Sequence, residues 1–239
     1  MKLRIQRKQW DHLAREDPFW AILNEPEKRN GRWDPEEFYT SGRHEIAGAM
    51  RWAAELGYPA LRHTALDFGC GAGRLTQALA GWFDHVTGVD ISPVMLDLAR
   101  KHDTAGDRCN YVLNSENHLR QFESNHFDFI YSRLVLQHLP PRHARRYIGE
   151  FVRVLRPSGL ALFQLPSNLT ASSLWEMVSY YAHMLIRRRL LRNPYLMEMY
   201  GIPQQTVERD LRAIGGRILA AKPDASAPNW DGLVYAVTK

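Results

Sequence analysis

Between residues 64 and 165, short apolar runs alternate with stretches whose apolar positions recur at helical intervals. "TALDF" (64–68), "HVTGVD" (85–90), "NYVLN" (110–114), "FDFIYS" (127–132) and "GLALFQL" (159–165) have the length and content of buried strands. "GRLTQALAGWF" (73–83), "SPVMLDLARKH" (92–102) and "RHARRYIGEFVRVL" (142–155) read as amphipathic helices. Ser92 and Pro93 supply a cap and a first turn to the second of these, and the third ends before Pro157. Strand–helix alternation of this kind predicts an α/β fold with a mostly parallel, doubly wound sheet.

The pattern changes at both ends. Residues 6–57 read as helical. Asp34 is placed to cap a helix with Pro35 at its first position, and Gly57 stops "HEIAGAMRWAAELG". After Pro166, residues 168–200 read as helical, with an aromatic and methionine stripe at Trp175, Tyr181 and Met184 and arginines at 187–189 and 192. "GRILAAKP" and "GLVYAVTK" then suit an antiparallel hairpin rather than another crossover, which brings the sheet to seven strands. The expected organisation is an N-terminal helical lid at 1–57 and a main domain at 58–239, with a helical insertion over 168–212.

Composition narrows the class. The 239 residues are 45% hydrophobic and 24% charged, a globular balance. No run is long and apolar enough to span a membrane, and the basic start lacks a signal-peptide core, so the expected compartment is the cytoplasm. The two cysteines, Cys70 and Cys109, form neither a disulfide framework nor a metal spacing. A net charge of +5 raises the question of nucleic acid. No nucleic-acid module or aromatic-interleaved basic repeat accompanies it, which argues against that partner. His143, among arginines, is expected to be solvated.

The chemistry concentrates in "ALDFGCGAGRL", where Gly69, Gly71 and Gly73 follow a strand that ends beside an acid, Asp67. Strand, glycine loop and helix together present bare backbone amides to a ligand. A dinucleotide fingerprint would place its third glycine one residue later; here the sixth position is Arg74. Asp90 ends the next strand, where a carboxylate can accept both hydroxyls of a ribose. Asp67 beside the loop disfavours a pyrophosphate and suits a ligand carrying an ammonium group.

"LDFGCGAGRL", "VTGVDISPVMLDLAR", "FDFIYSRLVLQHLPP" and "FVRVLRPSGLALFQLP" together resemble successive motifs of the class I S-adenosylmethionine-dependent methyltransferases, the small-molecule branch most of all. The resemblance implies S-adenosylmethionine as cofactor, with Asp67, Gly69, Cys70 and Gly71 along its methionine moiety and Gly73 and Arg74 opening the helix beside it. It puts Asp90 on the ribose, Ile91 and Met95 on the adenine, and Asn114, Ser115 or Glu116 at the adenine edge. The acid usual in that loop is replaced by Ser115. Ser132 and Arg133 face the methyl-transfer position, and Tyr39, Ser41 and Gly42 resemble the element that covers the cofactor carboxylate.

His138 is either a structural histidine under the site or the base that removes a proton from an oxygen acceptor. Cys70 reads as a small buried filler rather than a nucleophile. No metal is expected. The implied reaction is methyl transfer to a small-molecule or lipid-like acceptor, on oxygen or nitrogen. The alternatives are a macromolecule methyltransferase acting on RNA or protein, a non-catalytic cofactor-binding partner subunit, and an NAD-dependent oxidoreductase of the same fold.

Overall fold

The structure, a computed structural model, describes residues 2–170, 197–227 and 229–239. The aromatic stripe and arginine cluster expected within 168–200 lie outside the described residues. Helices α1 (Lys2–Glu16), α2 (Pro18–Ile22) and α3 (Pro35–Glu55) precede strand β1 (Thr64–Phe68). The chain then alternates through α4 (Arg74–Leu79), β2 (His85–Asp90), α5 (Pro93–Lys101), β3 (Cys109–Leu113), β4 (Phe127–Ser132), α6 (Pro141–Val154) and β5 (Leu155–Leu169). Helix α7 (Gln204–Ala213) and strands β6 (Arg217–Asp224) and β7 (Trp230–Thr238) close it.

The seven strands lie in the order β3-β2-β1-β4-β5-β7-β6. β1 pairs in parallel with both β2 and β4, and β7 runs antiparallel between β5 and β6. Order reverses between β1 and β4, and the carboxyl ends of β1, β2 and β4 splay around that point, where open α/β sheets bind ligands. One apolar layer joins Leu66, Ile130 and Phe163 of the sheet to Tyr147, Phe151 and Val152 of α6. The opposite layer joins Ala65, Phe129 and Leu162 to Ile46, Met50 and Ala53 of α3, and to Leu75 and Leu79 of α4.

The expected fold class holds, with local corrections. β5 continues through Pro166 to Leu169, because beyond Phe163 it pairs only with β7 and one backbone edge needs no donor. Residues 168 and 169 are therefore strand, and 197–203 carry no helix. The closing hairpin exists, but a crossover also precedes it: α7 leads from the β5 side to β6, burying Val207 and Leu211. α4 ends at Leu79, short of Phe83. His143 is buried on α6, and its Nε2 accepts from Arg142 Nε at 3.1 Å.

Asp128 ties three strands together at their other end. Its Oδ2 accepts from the amides of His63 and Thr64, each at 2.9 Å, and its Oδ1 accepts from Arg156 Nη1 at 2.9 Å. Removing the carboxylate strands amides in a largely dry position, and each such orphan costs about 1–3 kcal/mol. Asp128→Ala is expected to lower unfolding free energy by roughly 2–4 kcal/mol in urea titration. A loss below about 1 kcal/mol would show that the clip is not holding these strands.

Candidate functional site

The glycine loop is fastened to β2 before any ligand is considered. The amides of Gly69 and Cys70 donate to the Val89 carbonyl at 2.8 and 3.0 Å, and the Gly71 amide donates to Asp90 Oδ2 at 2.9 Å. Two glycines show why side chains are excluded here. Gly69 has φ +79°, and a Cβ there would stand 2.3 Å from the Val135 side chain. Gly73 caps α4 at φ +80°, and its Cβ would stand 2.8 Å from the Tyr111 hydroxyl. Both conformations disfavour any residue with a Cβ.

Asp90 is the junction of the site. Its Oδ1 accepts from the Ser92 amide at 2.8 Å, and its carbonyl accepts from the Asn114 amide at 2.8 Å. The carboxylate keeps lone pairs beyond the two amides it already serves, enough for a pair of ligand hydroxyls. Burial raises its pKa, opposed by the Ser92 and Gly71 amides. Ser92 Oγ donates to Asp11 Oδ1 at 2.6 Å, which fastens α1 to the start of α5.

A cavity of about 620 Å³ opens over these strand ends, within the range of cofactor sites. Gly69, Gly71, Asp90, Ile91, Met95 and Asn114 line one part of it. Arg133 and His138 line another part, so eight of the residues singled out from sequence share one cavity. The remainder do not line it. Tyr39 donates its hydroxyl to the Ala72 carbonyl at 2.9 Å. Ser41 accepts from Arg74 Nη1 at 3.2 Å, and a Cβ on Gly42 would press on the Arg74 carbonyl at 2.5 Å. These three back the glycine loop from α3. Arg74 is itself buried and donates to Glu45 Oε2 at 2.7 Å.

Asp67 lies behind the loop, with its Oδ2 accepting from Thr76 Oγ1 at 2.6 Å. Cys70 is buried, and burial pushes its thiol pKa up. Ser115 is exposed, while the Glu116 carbonyl accepts from the Tyr147 hydroxyl, which in turn accepts from Asn114 Nδ2 at 3.2 Å. Ser132 Oγ donates to the Phe68 carbonyl at 3.1 Å. Arg133 bridges Asp224 Oδ1 at 2.8 Å and, more distantly, Glu45 Oε1 at 3.8 Å. Glu45 also accepts from the Tyr131 hydroxyl at 3.0 Å, so one carboxylate joins α3, α4 and β4.

Sequence reasoning missed several walls of the cavity. Leu3, Gln6 and Trp10 reach it from α1, and their i, i+3, i+7 spacing was the available signal. Leu134, two residues after β4, has φ +59°, a conformation costly for leucine, and lines the cavity with Arg133 and Val135. Met197, Met199 and Ser226 arrive from segments distant in sequence and carried no local signal. Gln137 was passed over beside His138. Among the described residues no cluster of histidine, cysteine, aspartate or glutamate is arranged to hold a metal, and no helix is long and apolar enough to cross a membrane.

Residues 66–163 match a family described as "Methyltransferase domain". The chain is 33% identical over 105 residues to phosphoethanolamine N-methyltransferase 2 of Caenorhabditis elegans, covering 43% of this chain and 23% of that protein. It is 29% identical over 148 residues to the ubiquinone biosynthesis O-methyltransferase of Thiobacillus denitrificans, covering 61% of this chain and 62% of the other. These matches span less than two thirds of either relative's length. Among solved structures, magnesium protoporphyrin IX methyltransferase from Synechocystis PCC 6803 with bound S-adenosylhomocysteine superimposes with a TM-score of 0.69 at 16% identity, covering all of both chains.

Burial pushes the Asp67 pKa up to about 7, against the Thr76 hydrogen bond that lowers it. The unfolded chain therefore releases this proton near pH 4 and the folded chain near pH 7. Between those values the folded state holds more protons, so stability falls as pH rises, by up to about 1.4 kcal/mol per pH unit. In ligand-free protein the urea midpoint is expected to drop from pH 4.5 to 7, with a shallower decline in Asp67→Asn. Identical pH slopes in the two proteins would contradict this titration.

Proposed function

We propose that the chain is a class I S-adenosylmethionine-dependent methyltransferase, a reading supported by the methyltransferase-domain match over residues 66–163 and by the fold, and that it transfers the methyl group of S-adenosylmethionine to a small, largely apolar acceptor. The observation that carries this reading is Asp90, hydrogen-bonded to the glycine-loop amide in the same cavity as His138. Asp90 would hold the ribose hydroxyls, Ile91 and Met95 would flank the adenine, and Asn114 would stand at its edge. Gly69 and Gly71 leave room for the methionine moiety. Cavity volume and donor chemistry both suit that cofactor.

When bound, S-adenosylmethionine supplies an electrophilic methyl group on a positively charged sulfur. The protein's own residues then have to orient the acceptor, exclude water and take its proton. The walls that remain for the acceptor are Leu3, Trp10, Leu139, Met197 and Met199, with Gln6, Arg133 and Ser226 as polar points. Such a surface suits an apolar or aromatic body with few polar groups. The relatives named for oxygen and nitrogen methylation leave both acceptor atoms within this reading. We take oxygen, because His138 lines the cavity half-buried and desolvation lowers its pKa, which favours the neutral ring that can remove a hydroxyl proton. The N-terminal helices serve as the lid, latched through Asp11 and Ser92.

Asp90→Ala is expected to bind S-adenosylhomocysteine about ten- to a hundredfold more weakly by calorimetry, since roughly 1.5–3 kcal/mol of charge-assisted hydrogen bonding is lost. An unchanged dissociation constant in the folded variant would displace the ribose from Asp90, and tight binding of NAD by the wild type would favour an oxidoreductase. His138→Asn is expected to lower methyl transfer to a phenolic acceptor by about a hundredfold or more while cofactor affinity stays within threefold. Undiminished turnover would remove His138 from the chemistry.

A further inference from the structure

His138 does not stand alone in the cavity wall. Its Nδ1 lies 3.0 Å from the backbone carbonyl of Glu198. A carbonyl only accepts, so Nδ1 carries the hydrogen and the neutral ring keeps its lone pair on Nε2. Nε2 lies 3.2 Å from Gln137 Nε2, which donates to it. Gln137 Oε1 in turn accepts from Gln164 Nε2 at 3.2 Å. Gln137 and Gln164 are 5% and 0% exposed. The chain of donors therefore runs in one direction, from Gln164 through Gln137 to the imidazole, and ends on the Glu198 carbonyl. At its far end, Gln164 Oε1 is buried with no hydrogen-bond partner among the described residues.

We infer that Gln137 and Gln164 form a reversible amide relay that positions His138 for both of its protonation states. The relay rests on the reading of His138 as the proton acceptor. The 3.2 Å contact from Gln137 is long enough to yield Nε2 to an acceptor hydroxyl. As the acceptor oxygen forms its bond to the methyl carbon, its O–H bond breaks and Nε2 takes the proton. The electron pair of the broken carbon–sulfur bond stays on sulfur, and the positive charge moves from sulfur to the imidazole. The methylated oxygen has no hydrogen left to hold against Nε2, and the new Nε2–H needs an acceptor. Rotating the Gln137 amide presents Oε1 to it. Gln137 Nε2 then faces Gln164, whose own rotation brings its unpartnered Oε1 into use. The relay contains the same number of internal hydrogen bonds before and after, so neither protonation state is left with an unmatched donor pair at the ring.

Among the described residues, no ionised group substitutes for this relay. Trp10 of α1 meets the ring edge-on at 5.5 Å between centroids, and Gln6 Nε2 donates to the His138 carbonyl rather than to its ring. The Glu198 carboxylate accepts from the Tyr200 hydroxyl. The other charged residues lining the large cavity are Glu25, Asp90 and Arg133; Arg133 pairs with Asp224 and Glu45, and Asp90 serves the Gly71 and Ser92 amides. Burial lowers the imidazole pKa, and the Glu198 carbonyl opposes it.

The test is nitrogen-15 NMR of histidine-labelled protein, with His138 assigned by comparison with His138→Asn. Wild type is expected to show the Nδ1–H tautomer when neutral. In Gln137→Glu, a permanent acceptor faces Nε2, so the titration midpoint should rise by one unit or more. In Gln137→Leu both relay states lose their partner. The bond to the charged ring is the stronger of the two, so the midpoint should fall by at least half a unit. An Nε2–H tautomer in wild type would overturn the relay, as would shifts of the same sign or below 0.3 unit in both variants. The tautomer is read without any variant of Gln137 having to fold. None of these readouts depends on turnover, so a His138→Asn enzyme that still methylates would refute the base and leave the relay measurements standing.

Discussion

The hydrogen bond from the Gly71 amide to the Asp90 carboxylate is the contact on which the site depends. It can form only because β1 and β2 run in parallel and end together, with Asp67 opposite Gly88 and Phe68 opposite Val89. The loop after β1 then crosses the end of β2 within reach of its last side chain. Two positions on that loop have no room for a side chain: Gly69 is crowded by Val135 and Gly73 by Tyr111. Everything the cavity offers a ligand is arranged around this knot. Bare backbone lies on one side, a carboxylate with spare lone pairs sits at the centre, and Ile91 and Met95 follow on the next turn.

A second set of contacts ties α1 and the segment before α7 to the sheet, and it converges on the short turn Leu136–His138 after β4. The Gln137 carbonyl accepts from the Tyr200 amide at 2.7 Å, and the His138 carbonyl accepts from Gln6 Nε2 at 2.6 Å. One turn therefore anchors both α1 and the segment before α7. The same turn supplies Gln137 and His138 to the cavity wall. Attachment of these segments and placement of the proposed base thus share one piece of backbone, entered through Leu134 at positive φ. Any shift of that turn moves both together.

Legibility in the sequence followed burial and locality. β2 and β4 match their expected runs residue for residue, and β4 is buried at every position, as a strand covered on both faces is. β5 was read short, since Pro166 looks like a terminator until the sheet shows that only one neighbour remains there. α7 buries only Val207 and Leu211 in an otherwise polar stretch, too weak a period to stand out. The glycine loop and Asp90 were readable from spacing alone. The roles of Arg74 and Ser132 were not, because their partners Glu45 and Phe68 lie 29 and 64 residues away. Met197, Met199 and Ser226 reach the cavity only through the return of the chain past β5 and the turn between β6 and β7.

The central claim is that one cavity at the ends of β1, β2 and β4 holds the methyl donor and its acceptor side by side. A crystal structure of the protein grown with S-adenosylhomocysteine tests it most directly. The account predicts both ribose hydroxyls within hydrogen-bond distance of Asp90, the adenine between Ile91 and Met95, and the sulfur directed toward the His138 and Met199 wall. A ligand seated elsewhere, or one whose sulfur points away from His138, would contradict it.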